Sequence, residues 1–247
     1  MSEYRPGGFL SLPPVVKNLL IINIILFVLT IIFERMGISL FQYLAVYSTQ
    51  SQNFNPYQLI THMFMHGGIG HLFFNMFALW MFGRVLEEIW GPKRFFIYYF
   101  VCGLGAAFLH MLVNYFQIQH LIAQMDPGLV ETVLSQGTEV INRGMNYTHG
   151  QMRTLNMLIN TPTVGASGAI YGLLLAFGML FPNAVIYIYF AFPLKAKYFV
   201  IIYAALELYL GIANHSDNIA HFAHLGGMLF GLIFILIWRK NRFNRWH

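Results

Sequence analysis

The stretch IAHFAHLGGMLFGLIFILIW, residues 219–238, settles the solvent in which this chain folds. It holds no Asp, Glu, Lys or Arg, and a helix needs about 20 apolar residues to cross the hydrocarbon core of a bilayer. Only helices and closed barrels satisfy every backbone polar group in that medium. The apolar residues here are continuous and do not alternate, which is the pattern of a helix. Five earlier runs read the same way, at about 18–35, 70–90, 95–116, 165–181 and 196–213. Pro92 follows the second and Pro182 the fourth, and each marks a helix stop. Composition agrees: 57% of the 247 residues are hydrophobic and 9% charged, where a soluble domain carries about 25% charged residues. The expected fold class is all-α, a polytopic membrane protein with six transmembrane helices.

Six spans put both termini on one side, and the basic residues say which. With the N-terminus inside, Arg5, Lys17, Arg84, Lys93, Arg94, Lys195, Lys197, Arg239, Lys240, Arg242 and Arg245 are inner, against outer Arg35, Arg143 and Arg153. That bias predicts cytoplasmic termini. The organisation expected is a short cytoplasmic tail at 1–17, a membrane domain at 18–238 and a basic cytoplasmic tail at 239–247. No cleavable signal peptide is recognisable, so the first run reads as a retained span. The net charge of +5 is spread over loops and the C-terminal tail, which suits lipid headgroups and not nucleic acid. The single cysteine, Cys102, excludes an internal disulfide and sits in an apolar run, where packing is its expected role.

The segment 117–164 stands apart, being polar with apolar clusters at Leu129-Val130 and Val133-Leu134. Asp126-Pro127 has the form of an N-cap followed by a first-turn proline. One or two short helices on the outer membrane surface are expected there, with a disordered loop as the alternative for its middle.

Chemistry gathers at the outer ends of three spans. Gly165-Ala166-Ser167-Gly168 opens the fourth, where small neighbours leave room for a substrate backbone and free N–H groups could face an oxyanion. Taken alone, a serine among small residues more often serves helix packing. The last span offers a base, His221 or His224, with His224, Gly227 and Gly231 on one face. Small-residue faces on both helices would let the serine of one meet the histidine of the other. His62, His66 and His71 cluster at the start of the second span, with Asn75 one turn after His71. His71 and Asn75 can both donate hydrogen bonds to an oxyanion, or form a hydrated interfacial cluster. Under the charge-derived topology, Ser167, His224, His71 and Asn75 all fall at one shallow depth. A metal site built from His62, His66, His71, His221 and His224 is the competing reading, though no His-Glu-x-x-His motif is present.

Together these residues resemble the rhomboid family of intramembrane serine proteases. The resemblance rests on His66-x4-His71-x3-Asn75, on Gly165-Ala166-Ser167-Gly168 with Tyr171, and on Ala223-His224-x2-Gly227-x3-Gly231. Gly83-x3-Glu87-x3-Gly91 matches a structural pattern of the family. The resemblance implies a six-helix rhomboid bundle with Ser167 as nucleophile and His224 as general base. It further implies an oxyanion hole of His71, Asn75 and the Ser167 N–H, with Tyr171 packed on the His224 ring. His66 and Gly165 would support the site, and His221 would pack or hydrogen-bond. No cofactor is implied. The partners implied are membrane proteins whose transmembrane segments are weakened by Gly or Pro near the cut, within a bacterial cytoplasmic membrane. Tyr57-Gln58 stands where many members carry a Trp-Arg pair, and the 117–164 insertion is longer than in a minimal member. Asp217 as a third catalytic member is weak, since a loop aspartate is normally just solvated. Glu207, inside the fifth span, is expected to hydrogen-bond a neighbouring helix.

Overall fold

The computed structural model describes residues 12–188, 191–213 and 220–243. Among them, five helices are long and apolar enough to cross a membrane: Pro14–Arg35, Ile69–Trp90, Pro92–Ile122, Ala196–Ala213 and His221–Trp238. The remaining apolar run forms the shorter helix Ser167–Leu180, of 14 residues, or about 21 Å of rise. The protein is therefore a helical polytopic membrane protein with five candidate spanning helices among the described residues, and the six apolar helices, the short fourth included, are called the first to sixth spans in chain order. Large apolar side chains such as Ile25, Phe74, Ile201 and Tyr209 lie exposed on the outside, as a lipid-facing surface requires.

Local chemistry explains the boundaries. Pro14 opens the first span at a position where its missing N–H costs nothing. The next two N–H groups, of Val15 and Val16, donate to the carboxylate of Glu87 at 2.9 and 2.8 Å. The second span carries a π-helical turn at Leu79–Gly83 and ends at Gly91, whose φ is +77°. Pro92 then starts the third span.

The third, fourth and sixth spans form the centre, and small residues set how closely they approach. A Cβ on Gly227 would overlap the carbonyl oxygen of Gly168, and one on Gly168 would overlap Ala106. The Tyr98 hydroxyl donates to the Gly172 carbonyl at 2.9 Å, tying the third span to the fourth. Cys102 is buried in this core, as expected.

The polar insertion is helical throughout most of its length. The third span continues to Ile122, and helices Pro127–Asn142 and Gly150–Asn160 follow. Asp126 caps the first of these by accepting from the Gly128 N–H at 2.8 Å. The pair packs with Ile118 of the third span in a separate apolar cluster that includes Val133, Met152, Leu155 and Ile159. Asn114 on the third span donates to the Leu158 carbonyl at 2.9 Å, and Asn160 accepts from Ser51 at 2.8 Å. The disordered alternative for the middle is thus replaced by a packed helical hairpin. A two-stranded antiparallel hairpin, Val185–Ile188 with Phe192–Lys195, joins the fourth and fifth spans, and no alternation in the sequence announced it.

Candidate active site

The loop between the first two spans is knit by Gln58, the second residue of the Tyr57-Gln58 pair. Its buried amide donates to the carbonyls of Asn53 at 2.8 Å and Tyr43 at 3.2 Å, and accepts from the Asn55 N–H at 3.1 Å. This loop then holds the segment leading into the fourth span. Val46 and Thr163 exchange backbone hydrogen bonds at 3.0 and 2.8 Å, and the Gly165 N–H donates to the His62 carbonyl at 2.9 Å. The Thr163 hydroxyl meets His110 Nε2 at 3.0 Å. Gly165 takes φ +127°, a conformation that L side chains rarely adopt. The chain is thereby turned so that Ser167 becomes the first residue of the fourth span.

Ser167 Oγ lies 2.9 Å from His224 Nε2. His224 occupies the first turn of the sixth span, and the close approach of Gly168, next to Ser167, to Gly227, one turn after His224, brings the two helices together. The Tyr171 ring stacks on the His224 imidazole, 4.2 Å between centroids and 7° from parallel. His71 Nδ1 faces the Gly67 N–H at 3.4 Å, while its Nε2 is directed at Gly165, where a Cβ would come within 2.8 Å of it. Asn75 is buried and donates one amide hydrogen to the His71 carbonyl at 2.8 Å, leaving the second. The His66 ring meets His71 edge-on, at 5.1 Å. Burial lowers His66 to about 4, with the neighbouring His71 adding to the effect. Burial likewise lowers His62 to about 4, so both rings are neutral at neutral pH. A cavity of about 20 Å³, lined by His62, Thr163, Gly165, Ser167 and Ala220 among others, has room for about one water beside the serine.

The structure therefore brings Ser167, His224, His71, Tyr171, Gly165 and His66 to one place, with Asn75 a turn below. It does not gather the five histidines of the metal reading into one cluster. Among the described residues, the group whose ligand atoms lie within 4.8 Å of one another is Glu207, His221 and His224. Such a trio could hold an ion, yet its carboxylate is already engaged. Glu207 Oε2 lies 2.6 Å from His221 Nδ1, and Oε1 accepts from the Tyr171 hydroxyl. Asp217 lies outside the described residues. Glu207 bonds neighbouring helices, but sequence reasoning missed that it also borders the imidazole. The available signal was an intramembrane carboxylate on the span preceding two histidines one turn apart.

The described residues thus form an apolar helical bundle whose close-packed core sets Ser167 against His224. Residues 53–241 match the family model described as the Rhomboid domain, and the chain belongs to the rhomboid family. It is 28% identical over 185 residues to RHOMBOID-like protein 12, mitochondrial, of Arabidopsis thaliana, covering 75% of this chain and 47% of that one. It is 26% identical over 177 residues to Rhomboid protein 1, mitochondrial, of Saccharomyces cerevisiae, covering 71% and 40%. A shorter match, 40% over 48 residues and 19% and 10% of the chains, is to Rhomboid protease GluP of Bacillus subtilis. The chain thus spans about half or less of the length of these curated relatives. The two broad matches are to proteins named as mitochondrial and the bacterial match covers only 48 residues, so the expected bacterial cytoplasmic membrane is not supported.

Proposed function

We propose that the protein is an intramembrane serine endopeptidase that cuts within or beside transmembrane segments. The observation that carries this reading is the 2.9 Å approach of Ser167 Oγ to His224 Nε2 inside a membrane bundle. In the proposed reaction Oγ attacks the scissile carbonyl carbon as its proton passes to His224 Nε2. His71 Nε2, the free amide hydrogen of Asn75 and the Ser167 N–H are suited to stabilise the resulting oxyanion. Collapse breaks the C–N bond, with the proton on His224 going to the leaving amine. Water, deprotonated by the same imidazole, then hydrolyses the acyl-serine. The cavity beside Ser167 is large enough to hold that water.

A substrate helix hides its carbonyls in backbone hydrogen bonds, so the reactive stretch must be unwound before attack. Substrates are therefore membrane proteins whose spans carry Gly, Pro or other weak helix formers near the cut. The distribution of Lys and Arg supports termini on the cytoplasmic side and a site opening outward.

The test is cleavage of a reporter transmembrane segment by the purified chain in liposomes, alongside Ser167→Ala and His224→Ala. Cleavage and labelling by a fluorophosphonate are expected in the wild type and in neither variant, a loss of roughly 10⁴-fold or more. Normal cutting by folded Ser167→Ala would sink the reading, as would a folded wild type inert towards a panel of helix-weakened segments.

A further inference from the structure

For His224 Nε2 to accept the serine proton, the ring must carry its other proton on Nδ1. That atom is buried, and no well-aligned hydrogen-bond partner serves it. The nearest carboxylate oxygen is Oε1 of Glu207, 3.0 Å away but off the line of the ring N–H. The contact is ionic in kind and becomes a full hydrogen bond with a small turn of either group. Catalytic hydrogen bonds in unliganded sites are often misaligned in this manner.

Glu207 does not reach this place by chance of rotamer. Its residue is 7% exposed, and each carboxylate oxygen has a fixing partner. His221 Nδ1 holds Oε2 at 2.6 Å from one turn before His224. The Tyr171 hydroxyl holds Oε1, while the ring of the same tyrosine stacks on His224. Tyr203, one turn before Glu207, packs against Tyr171 at 6.2 Å. A carboxylate in an apolar span is costly unless its bonds are satisfied, and here they lock it beside Nδ1, at the edge of the imidazole away from the serine.

We propose that Glu207 is a positioning residue for His224, fixing the tautomer with the proton on Nδ1 and stabilising the imidazolium formed during serine attack. The site thereby works as a serine–histidine–glutamate relay of orientation across the fourth, fifth and sixth spans. This rests on the protease reading above. It departs from the bare serine–histidine pair that the sequence resemblance implies, and it puts the orienting carboxylate on a span, not in the loop that holds Asp217. The other titrating groups facing the imidazole are His71 on the second span, His110 on the third, Tyr171 on the fourth and His221 on its own helix. None of these supplies an anion at neutral pH, so the carboxylate is the group whose removal should register in the pH profile.

The experiment measures kcat and KM for a reporter segment across pH, together with the rate of Ser167 labelling by a fluorophosphonate. Wild type, Glu207→Gln and Glu207→Asp are compared. Glu207→Gln should lower kcat and the labelling rate roughly 10- to 100-fold, the range seen when a partner that orients a functional histidine is lost, with KM changed less than about twofold. Losing the anion makes the imidazolium harder to form, so the acidic limb of the activity profile should move to lower pH. Glu207→Asp should keep that limb in place while losing rate several-fold, because charge is retained and reach is not. A Glu207→Gln enzyme with wild-type kcat and an unmoved limb overturns the proposal. So does loss of wild-type activity to a chelator with rescue by zinc, which would assign the trio to an ion. Should Glu207→Gln not fold, unchanged labelling in Glu207→Asp overturns it equally. A folded wild type that neither cuts nor labels fails the protease reading itself, a result distinct from these.

Discussion

Two glycines separate what the site needs from what the bundle needs. Gly165 combines φ +127° with a position where a Cβ would stand 2.8 Å from His71 Nε2 and 2.9 Å from its Cε1. A side chain there strains the backbone by about 1–3 kcal/mol and pushes aside the ring proposed to receive the oxyanion. Gly165→Ala should therefore fold, with a modestly lowered thermal midpoint, and lose about 10²- to 10³-fold in kcat, as removal of an oxyanion donor does. Gly227 faces backbone, not a side chain, since its added Cβ would overlap the Gly168 carbonyl. No rotamer change relieves that clash, so Gly227→Ala should yield little folded protein in detergent. Full activity in Gly165→Ala would remove His71 from the proposed oxyanion hole. A stable Gly227→Ala would show that the fourth and sixth spans can part without loss of the fold.

At the scale of the element, the helix ends show most clearly what a single sequence reveals. The spans were legible because each is a long run of apolar residues, and the helix after Asp126 was legible because its cap is local. Glu87 was visible only as part of a glycine-flanked pattern. Its work is to cap a helix 72 residues earlier in the chain, which no local signal encodes. The same distance problem hid the third contact of Glu207 and the role of Gln58, whose partners come from turns without periodicity. Glu87 is 2% exposed and accepts from two first-turn N–H groups of the first span, which have no partner within their own helix. Glu87→Ala leaves the buried Val16 donor and the half-buried Val15 donor unserved, and should cost about 2–4 kcal/mol. Glu87→Gln keeps one acceptor oxygen and loses the other, and should cost about 1–2 kcal/mol. Because Glu87 lies at the end of the second span remote from His71, the fraction that folds should cut with wild-type kcat. Denaturation midpoints in detergent, read beside turnover, check both statements.

For the whole molecule, acid should act through the loop that clasps the site. His62 and His66 are buried, at 5% and 1% exposure, and each is lowered to about 4 by that burial. In the unfolded chain both return to about 6.5. Between those values the unfolded state binds more protons than the folded one, so stability rises with pH there. It is complete above about pH 6.5, falls as the medium is acidified towards pH 4, and flattens below. At 1.36 kcal/mol per pKa unit, each ring contributes at most roughly 3 kcal/mol to that fall. The loss is not spread evenly over the structure. The His62 carbonyl holds the Gly165 N–H and the His66 ring abuts His71, so charging either ring loosens the segment that presents Ser167 before the spans themselves separate. Thermal midpoints taken from pH 7 down to pH 4.5 should therefore fall, with activity lost at temperatures below the global transition. His66→Phe, which keeps a ring of similar size without a titrating nitrogen, should flatten part of the slope. A midpoint independent of pH across that range would mean that these rings take up protons without leaving their sites, and that the loop is less tightly closed over the serine than its hydrogen bonds imply.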